Sequence, residues 1–70
     1  MMNRLIQYIE SNFYRFSNLD ESEVLELDAH YMDDDIVNYL KDTDQYIYKG
    51  ICVYYVKGPD EVHVENFNVD

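Results

Sequence analysis

The chain has one cysteine, Cys52, so it closes no internal disulfide and has no cysteine set for a metal finger. Cys52 sits between Ile51 and Val53, with no basic neighbour to lower its pKa, and reads as a small buried hydrophobe in a reducing compartment. Two glycines, Gly50 and Gly58, are too few for a phosphate-cradling loop, and there is no Gly-x-Ser-x-Gly nucleophile elbow. No apolar run approaches the roughly 18 residues of a membrane helix. The opening residues, Met1-Met2-Asn3-Arg4-Leu5-Ile6, carry one cation and no apolar stretch of signal length. A cytoplasmic location is therefore expected, with no membrane contact. These absences point away from catalysis, and neither enzymatic activity nor a cofactor is expected.

Positive charge is the scarcest feature. Five Lys and Arg face 15 Asp and Glu, giving a net charge of −10. Such a chain repels nucleic acid and anionic lipid, and it attracts basic surfaces across a Debye length of about 8 Å. Direct nucleic-acid binding is disfavoured on this ground, and a basic protein partner is expected instead. Apolar residues nevertheless make up 47% of the chain, too many for a disordered acidic tail. Seventy residues make one small acidic domain, residues 1–70, that buries only about 60% of the surface its unfolded form exposes.

The negative charge is localised. Residues 1–16 carry a net of +1 and residues 45–70 a net of −2, whereas residues 17–44 carry −9. The acids of that middle segment are Asp20, Glu21, Glu23, Glu26, Asp28, Asp33, Asp34, Asp35, Asp42 and Asp44. Solubility or a salt-rich habitat would account for net charge, but neither requires it in one segment.

The apolar pattern predicts an α+β fold. Leu5, Ile9, Phe13 and Phe16 recur at helical spacing, widened by Ile6, which predicts an amphipathic helix over residues 3–16 with Ser17 and Asn18 as terminators. The next stretch admits two readings. Asp20-Glu21-Ser22-Glu23 has the form of a helix entry, with Asp20 as N-cap and Glu23 three residues on. Strand alternation sorts the following residues better, with Leu25, Leu27, Ala29 and Tyr31 on one face and Glu26, Asp28 and His30 on the other. A helix over residues 24–32 would instead place Asp28 in the middle of the apolar arc. Asp33-Asp34-Asp35 then opens a short second helix to about Asp42, its acids suited to the positive end of the dipole, with Ile36, Tyr39 and Leu40 buried.

C-terminal antiparallel strands follow at Tyr46–Tyr48, Ile51–Val56 and Val62–Glu65, joined by turns at Lys49-Gly50 and Gly58-Pro59-Asp60. The alternation slips before Phe67 and Val69, which predicts a bulge or frayed end. Eight tyrosines are present. Tyr46, Tyr48 and Tyr54 share one parity and Tyr55 the other, so the first three are candidate aromatic contacts on one displayed face. An aromatic sheet packed under the helices is the competing reading.

Metal binding finds little support in the local sequence. Asp28, His30, Asp33, Asp34 and Asp35 offer oxygen and imidazole ligands, but the run lacks the alternating acids, the glycine and the final glutamate of an EF-hand loop. No dedicated metal site is expected.

Acids two apart on a strand lie about 6.5–7 Å from one another, and acids three or four apart on a helix about 5–6 Å. Phosphates along one DNA strand recur about every 3.4 Å of axis. The spacings are of the same order, and an arginine fork accepts either anion. In its length, its net charge, its Asp20–Asp44 acid cluster and its tyrosine content, the chain resembles the small DNA-mimic inhibitors of phages and mobile elements. Those inhibitors act against restriction enzymes, CRISPR effectors, repair glycosylases and nucleoid proteins. The resemblance is one of character, carried by no motif string. It implies an inhibitor, monomeric or a small homo-oligomer, that occupies the nucleic-acid site of a basic host effector or nuclease. In that reading the ten acids are the partner-binding residues, with Asp33, Asp34 and Asp35 ahead of Asp60, Glu61 and Glu65. The alternative is an acidic interaction module, antitoxin-like or a regulatory subunit, for a basic protein unrelated to nucleic acid.

Overall fold

The computed structural model describes residues 3–68. Its elements are α1 (Asn3–Ser11), α2 (Phe13–Ser17), β1 (Leu25–Asp28), a 3-10 turn (Ala29–Tyr31), α3 (Asp34–Lys41), β2 (Tyr46–Tyr48), β3 (Ile51–Val56) and β4 (Glu61–Asn66). The fold is α+β, with four antiparallel strands in the order β1-β4-β3-β2. The earliest strand therefore lies against the latest.

The amphipathic stretch forms two helices, not one. Asn12 leaves helical geometry at φ −111° and ψ 13°, and its side-chain amide donates to the Tyr8 carbonyl at 2.9 Å, in competition with the helical backbone. The phase survives the break. Leu5, Ile9 and Phe16 are fully buried, and the Tyr8 ring lies 5.9 Å from that of Phe16. Ser17 Oγ and Asn18 Nδ2 both donate to the Tyr14 carbonyl, at 3.3 and 2.6 Å, which stops α2 where the polar pair predicted.

The acidic stretch resolves as turn and strand. Glu23 N–H donates to the Asp20 carbonyl at 3.0 Å, and the Glu23 carboxylate accepts from Asp20 N–H at 2.8 Å. The reach-back half of a capping box is thus present, but it closes a loop rather than opening a helix. Strand alternation holds for Leu25, Glu26, Leu27 and Asp28, then ends sooner than expected. The Asp28 carboxylate accepts from His30 N–H at 2.9 Å, and this local bond bends the chain into the 3-10 turn. Ala29 still points inward, but Tyr31, expected on the same buried face, is 89% exposed.

Asp33 caps α3, its carboxylate accepting from Asp35 N–H at 2.8 Å, and Asp34 and Asp35 fill the first turn as the dipole favours. The helix buries Ile36, Val37 and Leu40, and Tyr39 packs edge-on against Tyr46. Lys49 and Gly50, with φ of 51° and 78°, form a two-residue type I′ turn between β2 and β3. Lys57–Asp60 closes the second hairpin, with Asp60 N–H donating to the Lys57 carbonyl at 3.1 Å.

The slip anticipated near the end of β4 is a polar residue in an inward position. Val62, Val64 and Asn66 alternate into the core without a bulge. Asn66 gives both amide hydrogens to the end of α2 and the loop after it, at 3.0 Å to Ser17 O and 3.2 Å to Leu19 O. The strand then stops and Phe67 is exposed; Val69 lies outside the described residues.

The buried cluster joins the helices to Ile51, Val53, Val62 and Val64. Their strand neighbours face the other way. By register, that second sheet face carries Glu26, Asp28, Ile47, Cys52, Tyr54, Val56, Glu61, His63 and Glu65. Among the described residues no helix is long and apolar enough to cross a membrane.

Candidate functional site

All ten acids of the middle segment are exposed. The fold divides them. Asp20, Glu21 and Glu23 sit on the turn before β1, Glu26 and Asp28 on the second sheet face, and Asp33, Asp34 and Asp35 at the start of α3. Asp42 and Asp44 lie past the other end of that helix, about 12 Å further along for eight residues rising about 1.5 Å each.

Several of these carboxylates have local work. Arg4 Nη1 reaches Asp33 at 3.1 Å and Asp35 at 2.6 Å, so two of the three consecutive aspartates share a counter-charge from α1. The arginine and both carboxylates are solvent-exposed, and such pairs contribute only about 0–1 kcal/mol, so a docking surface can displace this one cheaply. Asp28 and Asp33 also act as caps, and Glu23 holds its turn. Among the described residues, no side-chain hydrogen bond or ion pair engages the carboxylates of Asp20, Glu21, Glu26, Asp34, Asp42 or Asp44. These six are the freest to meet a partner. The acidic surface is interrupted beside Asp44, where an open pocket is also lined by Leu40, Lys41, Thr43, Tyr55 and Lys57. There Lys41 Nζ stands 5.3 Å over the Tyr55 ring.

The tyrosine face is corrected by register. Tyr46 pairs with Val53 and Tyr48 with Ile51, so both lie on the helix-covered face, where burial pushes the Tyr46 hydroxyl pKa up. Only Tyr54 of the three lies on the second face. A two-residue turn pairs residues of opposite parity, so positions of equal parity on β2 and β3 fall on opposite faces. Tyr48 instead donates to Glu10 Oε2 at 2.9 Å, where Lys49 Nζ arrives at the same distance, and these donors hold the Glu10 carboxyl below its usual range.

Sequence position had set Glu61 and Glu65 apart from the acidic cluster. Strand pairing places them on the same face as Glu26 and Asp28, with His63 between. Tyr54 donates to Glu65 Oε2 at 2.6 Å, and this bond pushes the Tyr54 pKa up to about 12. The readable clue was the even spacing of 61, 63 and 65; the missing information was which strand would lie beside them. The local ligand run is not assembled: His30 Nε2 turns to Asp60 Oδ2 at 3.3 Å while Arg4 takes Asp33 and Asp35.

Cys52 is buried as expected, at 1% exposure, but on the second sheet face and outside the main cluster. Its thiol lies 3.4 Å from Gln45 Oε1, and burial followed by the charge of Glu65 pushes its pKa up. Native protein should therefore react with a thiol reagent far more slowly than protein in denaturant, measured by absorbance of the released chromophore. Equal rates would show that the sheet leaves Cys52 open.

No family model matches the chain, no curated protein matches its sequence, and no solved structure matches its fold.

Proposed function

We propose that the protein is an acidic decoy that occupies the basic nucleic-acid-binding surface of a host defence or DNA-handling protein, in the host cytoplasm. The observation that supports this reading is the exposure of all ten carboxylates from Asp20 to Asp44 while Ala29, Ile36, Val37 and Leu40, interleaved with them, turn inward. The segment turns these four apolar residues into the core and presents all ten carboxylates outward, in spacings an arginine-lined groove can accept. Binding requires no catalysis and no cofactor; charge-assisted bonds and released counterions supply the affinity.

A second reading is an interaction module for a basic protein unrelated to nucleic acid. It is favoured by the second sheet face, where half-exposed Ile47, opposite Cys52, shares a face with Tyr54, Val56 and the carboxylates of β1 and β4.

Capture from host lysate on the immobilised protein, followed by competition on the captured protein, separates the two. The decoy reading expects mutually exclusive binding with DNA or RNA, and affinity that falls steeply between about 50 and 200 mM salt. Neutralising Glu21, Asp34, Asp42 and Asp44 to their amides should weaken binding by about 1.5–3 kcal/mol per lost contact. A ternary complex with nucleic acid, lost on Ile47→Ser or Tyr54→Ser substitution, would overturn the decoy and support the module.

A further inference from the structure

The second sheet face holds an imidazole, His63, and a carboxylate, Glu61, that neither capping nor the decoy reading uses. Glu26 on β1 stands directly opposite His63 on β4, and Glu61 precedes His63 by two residues on the same face. One ligand atom from each of the three lies within 4.8 Å of the others. His63 Nε2 is 3.0 Å from Glu61 Oε1, and the His63 side chain is only 14% exposed. The Tyr54 ring packs edge-on against the imidazole at 5.6 Å, which limits its rotation. Asp28 stands directly opposite Glu61, a like-charge cross-strand pair of the kind that destabilises a sheet unless a cation offsets it.

We propose that Glu26, Glu61 and His63 form a binding site for one divalent transition-metal ion of the zinc class. The donor set is one imidazole nitrogen and two carboxylate oxygens, which suits zinc with water in the fourth position. With metal–ligand distances near 2.1 Å, a tetrahedral site needs its ligand atoms about 3.4 Å apart. His63 and Glu61 already stand at 3.0 Å. Closure then asks only that Glu26, an exposed side chain on an edge strand, swing inward by a little over an ångström. The strand pairing fixes the other two. The ion would tie β1 to β4 through side chains and cancel the repulsion between Asp28 and Glu61. The site is independent of the decoy reading, since His63 lies outside the 20–44 segment and Glu26 alone is common to both.

Isothermal titration of the chelator-treated full chain with ZnCl2 tests the proposal, with CaCl2 as the comparison ion and thermal unfolding as a second readout. The expected result is one zinc per chain, a raised Tm with zinc, and much weaker calcium binding. His63→Gln and Glu26→Gln should each weaken zinc binding at least about tenfold, the loss typical even of residues that only support metal ligands. Glu26→Gln alters an exposed residue, so its circular dichroism should stay native and its loss of zinc should be interpretable by itself. Asp34→Asn and Asp42→Asn should leave zinc affinity unchanged. Three results would overturn the site: several weak ions per chain, equal affinity for calcium and zinc, or full zinc affinity in His63→Gln.

Discussion

Replacing Phe16 by alanine should remove about 3–5 kcal/mol of stability, the usual cost of deleting a fully buried phenylalanine. A domain of this length has about 4–10 kcal/mol in total, so the variant should lose most of its cooperative unfolding transition. The size of the effect follows from position. Phe16 closes the short helix α2, packs against the Tyr8 ring of α1 and lies in the cluster with the valines of β4. Tyr14 on the same helix is 85% exposed and serves as the internal standard; its alanine variant should stay within about 0.5 kcal/mol of the parent. Urea denaturation followed by far-ultraviolet circular dichroism measures both. A Phe16→Ala loss below about 1 kcal/mol would mean that α2 is not seated on the sheet as described.

Asn66 should rank next. It is 4% exposed and holds the Ser17 and Leu19 carbonyls with its two amide hydrogens, while its Oδ1 accepts from Asn68 N–H at 3.0 Å. Asn66→Ala strands acceptors that water cannot easily reach, a loss of about 1–3 kcal/mol. Asn66→Asp keeps the shape but offers the carbonyls no donor when ionised, so it should cost more than alanine at neutral pH. The folded state should retain the introduced proton more firmly than the unfolded chain, whose aspartate titrates near 3.9. The sign follows by linkage: the variant is least impaired below about pH 4 and loses further stability as the pH rises through the folded value. A pH series of urea midpoints reads this directly. An Asn66→Asp midpoint unchanged relative to Asn66→Ala from pH 3 to 7 would place the side chain in solvent.

Local chemistry was the legible part. Aspartates ahead of Ile36 marked the cap of α3, Lys49-Gly50 marked its turn, and the alternation from Leu25 to Asp28 marked a strand. Each depends on contacts a few residues long. The misreadings came from side chains that bond their own backbone. Asn12 broke a well-phased helix, and Asp28 ended a well-phased strand before Tyr31. Both residue types are known to compete in this way, yet periodicity gives no indication of which ones will. Asn66 looked like an interruption because the carbonyls it serves lie 47 and 49 residues earlier. The neighbours of Glu26 were hidden for the same reason: a strand's parity says which residues share its face, and only the sheet order says what stands beside them.

That sheet order also sets a timetable. Among the described residues β1 has no strand partner other than β4, and α2 is held to the sheet through Asn66. A nascent chain that has been made only as far as β3 therefore carries Leu25 and Leu27 with no sheet to enter and an edge open to any passing strand. Its core can close only after residue 66 has emerged, so the slow, long-range pairing of β1 with β4 comes last. Until then, ribosomes carrying this message should display an acidic, unfolded segment. Its abundant like charge then keeps neighbouring nascent copies apart until each can fold.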